Sequence, residues 1–174
     1  TEETIQVLEA TRRKADALVC QYNRPFTLGR FKMELLPSGV GLGSASLLIE
    51  SPKTTILYAP YLQKQKVGEA VRQMQLRQVQ TLILGAWHPQ PSGTLPSRKR
   101  EKTRLSKDLK AALEEGQFPT IVCPAISIAQ EIMPILNRLK VPVHVHESIF
   151  RIHKAYENYG AKLGSYARFS KRHI

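Results

Sequence analysis

The sequence predicts an α/β fold, a mixed sheet flanked by helices, and three observations carry that expectation. Phe31, Met33 and Leu35 alternate with Lys32 and Glu34, the period of a half-buried strand. Two further apolar runs, "SASLLIE" and "TTILYAP", are separated only by Ser51-Pro52-Lys53, a turn of hairpin length. Beyond residue 65 the rhythm changes to helical spacings alternating with apolar runs, the pattern of parallel strands joined by helical crossovers.

Taken in order, Ile5, Leu8, Ala15, Leu18 and Val19 fall at roughly helical spacing, with Thr1 or Thr4 as cap, so residues 3–19 are expected as a helix. "FTLGRF" and "KMELLP" follow as strands broken by Gly29, then the two runs of the meander. In "KVGEAVRQMQLRQ", Val67, Ala70, Val71 and Met74 share a helical face, and "TLILGAW" reads as a strand buried on both faces. A polar, basic loop is expected from His88 to about Thr103. "SKDLKAALEEG" is then a helix capped by Ser106 and closed by Gly116. "TIVCPA" is expected as a strand, "SIAQEIMPILNRLK" as a helix kinked or begun at Pro134, and "VPVHVHE" as a strand. "SIFRIHKAYENYG" closes the series as a helix capped by Ser148 and ended by Gly160.

The 174 residues are enough for one domain with a real core, and their 42% hydrophobic content is that of a globular chain. No run of about 18 apolar residues occurs, so no membrane partner is expected. Cys20 and Cys123 have no C-x-x-C spacing and read as small buried hydrophobes, which suits an intracellular, reducing compartment. Twenty-six Lys and Arg against 14 acids give a net charge of +12. That balance favours a polyanionic partner, RNA or DNA, because each neutralised phosphate releases counterions.

Four groups of residues could carry chemistry. Gly39, Gly41 and Gly43 give a G-x-G-x-G look, but they open a strand rather than a helix and no Lys-Ser/Thr follows, which excludes a dinucleotide or P-loop cradle. His144 and His146 stand at i, i+2 on an expected strand and so point to one face. Zinc needs three or four ligands, and His88, His153 and His173 form no second cluster. No G-x-S-x-G elbow occurs, and Ser44 and Ser46 have no visible His–Asp partners. The remaining group is cationic. "RKREKTR" offers Arg98, Lys99, Arg100, Lys102 and Arg104, and "SYARFSKRHI" sets Arg168, Lys171 and Arg172 beside Tyr166 and Phe169. Cations interleaved with aromatics suit a single strand of nucleic acid, by phosphate contact and stacking.

In their order and spacing, "LLPSGVGLGSASLLIE…TTILYAP", "LILGAW", "IVCPAISIAQEIMPIL" and "VPVHVHESIFRIHKAYENYG" resemble the metallo-β-lactamase-fold nucleases. The branch is that of the DNA ligase-associated exonucleases and their RNA-processing relatives in the cleavage and polyadenylation group. The resemblance implies that residues 1–163 are the C-terminal half of such a fold, half of an αββα sandwich, with 164–174 a basic tail. The family's H-x-H-x-D-H motif would belong upstream of Thr1. In the family pattern A-G-H-x-L-G-S-A-x-x-x-x-E, Gly39, Leu42, Gly43, Ser44, Ala45 and Glu50 stay in register, but Val40 stands at the histidine. Tyr61 stands at the bridging aspartate of L-Y-T-G-D, and only His146 (His144 if the register slips) matches a metal ligand. A valine has no lone pair and one imidazole cannot hold a hydrolytic metal. The expectation is therefore a catalytically inactive relative with no cofactor, binding nucleic acid or serving as a structural subunit beside other proteins of a processing or ribonucleoprotein complex. The rival expectations are an active zinc-dependent exonuclease with atypical ligands, and a scaffold that binds only protein.

Overall fold

A computed structural model describes residues 1–85 and 96–170, and it gives a mixed α/β fold. Strands β1 (Phe26–Leu28), β2 (Phe31–Pro37), β3 (Ala45–Glu50), β4 (Thr55–Ala59) and β5 (Thr81–Leu84) form one sheet in that order. The first three pairings are antiparallel, as the meander predicts, and β4 pairs β5 in parallel. Leu28 faces Phe31 across a two-residue turn whose first residue, Gly29, has φ +59°, a value hairpin turns of this kind need. Between β3 and β4, Ser51 closes the turn from both sides: its N–H donates to Thr54 O (2.9 Å) and its hydroxyl accepts from Thr54 N (3.1 Å).

The helices depart from expectation at instructive places. Helix α1 runs only over Glu2–Ala10, begun by a capping box between Thr1 and Thr4. It stops because the Thr11 hydroxyl bonds back to Leu8 O (2.6 Å) and Arg12 turns to φ +62°; the polar run 11–14 has no apolar stripe to bury. Leu18 is left 85% exposed. No helix forms over 66–78. Gly68 sits at φ +76°, and the backbone bonds elsewhere, Gln63 N to Ser38 O (2.9 Å) and Gln75 N to Pro37 O (3.0 Å). Val67 and Val71 are buried all the same, so their i, i+4 spacing marked burial without marking a helix.

Helix α2 spans Arg98–Glu114 and not the shorter segment expected from Ser106. Ser97 is its N-cap, accepting from Arg100 N (3.2 Å), and Ser106 lies inside it. "TIVCPA" forms no strand: Phe118 and Val122 are each 95% exposed. β5 is likewise exposed along its whole length, at the edge of the sheet rather than buried on both faces. Helix α3 (Ile128–Arg138) runs through Pro134, whose missing N–H leaves the Gln130 carbonyl without its i+4 donor. Strand β6 (His144–Val145) is shorter than expected, because His146 already serves as the N-cap of α4 (Glu147–Asn158) in place of Ser148. Within residues 164–170, part of the expected basic tail, β7 (Ala167–Arg168) pairs β6 in parallel.

Two apolar clusters hold this together. Leu36, Leu48, Leu57 and Ala59 form one on the sheet. Val7, Leu42, Val71, Met133, Ile152, Tyr156 and Leu163 form the other among the helices. The chain passes from one to the other through residues 38–44, the glycine loop.

Candidate functional site

The glycine loop is fastened from every side. Ser44 and Gly41 close it internally: Gly41 N donates to Ser44 Oγ (3.0 Å), which donates to Gly41 O (2.7 Å). Thr4 of α1 donates to Gly43 O (2.6 Å), Tyr22 to Ser44 O (2.9 Å), and Leu42 N donates to the buried Tyr156 hydroxyl of α4 (3.0 Å). A Cβ at Gly41 would overlap Ser127 Oγ, so glycine is required there by close approach. Burial pushes the Tyr22 phenol up to about 12, so its proton stays on this bond throughout the stable pH range. Tyr156→Phe is expected to cost about 1–3 kcal/mol, since the Leu42 N–H would be buried without an acceptor. A urea titration of both proteins measures it.

Val40, at the expected ligand position, brings no donor, and Tyr61 is half exposed. His144 and His146 flank the buried Val145 and are both exposed, as strand alternation predicts. His146 spends its Nδ1 on the start of α4, 2.9 Å from Ser148 Oγ and accepting from Ser148 N. Among the described residues no three His, Cys, Asp or Glu side chains gather as a metal site. His88 and His173 lie outside the described residues. Cys20 and Cys123 are free thiols, half-buried rather than fully buried, and burial pushes the Cys123 thiol up, away from a reactive thiolate.

His153, set aside from the sequence as belonging to no metal cluster, has a structural setting that the sequence reading did not give it. It is fully buried on α4, edge-on to Tyr166 at 4.7 Å, and neither ring nitrogen has a hydrogen-bond partner among the described residues. Its position one turn before Tyr156, between Ile152 and Ala155, marks the buried face of α4 and was the available signal. Tyr166, expected to stack on bases, instead donates to Glu157 Oε1 (2.9 Å) under the Lys154 ammonium and packs against His153 and Phe150.

The structure divides the cationic set. Arg98 and Lys102 turn inward to α3, where Arg98 forms a bidentate pair with Glu131 and Lys102 Nζ lies 2.9 Å from Glu131 Oε1, the oxygen that Arg98 Nε also engages. Burial alone would raise the Glu131 carboxyl; the hydrogen bonds and charges of Arg98 and Lys102 outweigh it and hold the group below the usual carboxylate range. Arg168 pairs with Glu147 (3.1 Å). Lys171 and Arg172 lie outside the described residues. What remains is the outer face of α2. Lys99, Arg100, Thr103, Arg104 and Lys107, with Ser97, line one shallow depression. Lys99, Arg100 and Lys107 form no ion pair with a described residue, and Arg104 reaches only the half-buried Glu101 and the exposed Asp108, at 3.6 and 3.8 Å. Lys107 was not among the expected site residues; its i+3 and i+7 spacing from Arg104 and Arg100 would have placed it there once the segment was read as helix.

A narrow cleft lies between α3, α4 and residues 67–71, about 160 Å³ in volume, with Ser127, Gln130, Glu131 and Tyr156 in its wall. No helix among the described residues is long and apolar enough to cross a membrane. No protein-family profile matches the chain, and no curated protein is significantly similar to it.

Proposed function

We propose that this chain is a non-catalytic nucleic-acid-binding component of a larger assembly, and that the outer face of α2 meets the phosphate backbone. The observation that carries the reading is the sorting of charge on one helix: Arg98 and Lys102 are spent on Glu131, while Lys99, Arg100, Arg104 and Lys107 stand together facing solvent. A net charge of +12 supplies the long-range attraction. The likeness of residues 35–59 to the ligand loop of metallo-β-lactamase-fold nucleases supports a scaffold that has kept its shape and lost its ligands, Val40 and Tyr61 standing where donors would be.

Replacing Lys99, Arg100, Arg104 and Lys107 together by glutamine tests it. All four are exposed, so the fold should stand. For a short single-stranded oligonucleotide, affinity at about 50 mM salt is expected to fall more than about tenfold. The plot of log affinity against log salt should also become shallower by about 3, near 0.7 for each lost phosphate contact. An unchanged slope overturns the assignment of α2.

A second reading, a scaffold that binds protein alone, draws on the exposed apolar residues of β5 (Leu82, Ile83, Leu84) and on Phe118 and Val122. Absence of oligonucleotide binding even at low salt would favour it.

A further inference from the structure

The cations of α2 are arranged in a way that selects among nucleic acids, an inference that rests on the reading above. At about 100° per residue, Lys99, Lys110, Thr103, Lys107, Arg100 and Arg104 fall within an arc of about 140° around the helix. All six are exposed. Lys99 and Lys110 stand on one flank of the arc and Arg104 on the other, with Thr103, Lys107 and Arg100 between. Along the axis the set covers about 17 Å. Lys110 meets only the exposed Glu114, at 3.7 Å, a surface pair too weak to hold it from a phosphate. Glu114 and Glu115 mark the end of the basic surface. Arg98, Lys102 and the buried Leu109 lie together on the far side, where the two cations grip Glu131 of α3. The helix is thus anchored along one side and bare along the other, a rod about 10–12 Å across.

Two features decide which polyanion fits. The first is the lack of a stacking group. A surface adapted to single strands sets aromatic rings among its cations so that bases stack on them. α2 has no aromatic residue, and Tyr166 is held by Glu157 and packed on His153. The exposed Phe118 follows the acidic pair Glu114–Glu115, whose charge repels phosphate. The second feature is that cations stand on both flanks of one rod. A single strand presents one line of phosphates, whereas the groove of a duplex has a line on each wall. The major groove of B-form DNA, about 12 Å wide, admits an α-helix. That of A-form RNA is too deep and narrow for side chains to read.

We propose that α2 lies in the major groove of double-stranded B-form DNA, with Lys99 and Lys110 meeting the phosphates of one strand and Arg104 those of the other. Thr103, Lys107 and Arg100 then face the base edges over about five base pairs, at 3.4 Å of axis for each. The Thr103 hydroxyl donates to Lys99 O (3.0 Å), which leaves its methyl group for the bases. Phosphate contacts position a protein without reading sequence, so a duplex of mixed sequence is a sufficient probe.

The test is fluorescence anisotropy of the full chain, at about 50 mM salt, with a DNA duplex of about 16 base pairs, the RNA duplex of the same sequence and each DNA strand alone. The DNA duplex is expected to bind at least about tenfold more tightly than the other probes. In that complex guanine N7, which lies in the major groove, should be shielded from methylation by dimethyl sulfate. Both measurements use the unaltered chain, so they decide the matter whatever a variant does. An RNA duplex or a single strand bound as tightly as the DNA duplex, or guanine N7 left open, overturns the groove proposal. If affinity for all the probes still falls when Lys99, Arg100, Arg104 and Lys107 are changed to glutamine, the phosphate-binding role of α2 stands without it. A preference for the DNA duplex that survives those four changes overturns both.

Discussion

Gly43→Ala is expected to cost the fold about 3 kcal/mol or more, a large share of the stability of a domain this size. Two effects add. The residue sits at φ +75°, a conformation that costs an alanine roughly 1–2 kcal/mol. Its new methyl group would also run into the backbone of Glu3 and Thr4, the first turn of α1, and overpacking against a backbone that cannot rotate away costs about 1–3 kcal/mol. The shift would break the Thr4–Gly43 hydrogen bond as well. Gly68→Ala separates the two effects, because Gly68 has nearly the same φ (+76°) and nothing within 4 Å of the added carbon. It should lose only the conformational part. Urea midpoints of the two variants measure the difference, and equal losses would mean that α1 does not rest on the loop.

The second large effect is acid lability from His153. Burial first, with Lys154 adding, pushes its imidazole down to about 4; Glu157 and the nearby Ala129 backbone pull the other way and lose. The unfolded chain, titrating near 6.5, therefore takes up the proton before the folded one does. His153 stabilises the fold fully above pH about 6.5, and that contribution drains away as the pH falls towards 4, on the order of 3 kcal/mol in all. Glu3 and Glu131 are held below the usual carboxylate range, so their losses come at lower pH and do not blur this window. His153→Phe keeps a ring against Tyr166 and removes both unpartnered nitrogens. It is expected to be more stable than the parent at pH 5 and to flatten the pH dependence between 6.5 and 4.5. Parallel curves for parent and variant would show that the imidazole is not the group responsible.

How much of this was legible depends on how far away the deciding contact lies. The meander was legible because alternation and short turns are local: Phe31, Met33 and Leu35 declare a strand without help from the rest of the chain. Helices α3 and α4 were legible for the same reason, from apolar spacing and the stop at Gly160, which has φ +85°. The apolar run at 81–84 reads the same whether a strand is central or at an edge, so its exposure was invisible. The start of α2 was missed because a dense run of cations looks like a solvated loop; Ser97 as a cap and the Glu101–Arg104–Asp108 spacing were the local signs of helix. The candidate site was legible as composition and not as geometry. That Arg98 and Lys102 serve Glu131, some thirty residues on, follows from tertiary packing alone. The glycine loop announced a tight turn, but its partners are Thr4 and Tyr156, on helices at opposite ends of this sequence.

The pairing of α1 with α4 also orders events in time. Arg151 of α4 holds the carbonyl of Ala10 (2.8 Å) across 141 residues of sequence, and Tyr156 holds Leu42 across 114. On a ribosome adding about 5–20 residues per second, α1 and the glycine loop wait roughly ten seconds for the helix that completes their core. The sheet's own cluster, made from residues 36–59, needs no such delay. Folding should therefore be biphasic, with a fast hairpin-like phase and a slow docking phase of high contact order. In the interval Val7 and Leu42 lack Ile152 and Tyr156, the α4 side chains of their cluster.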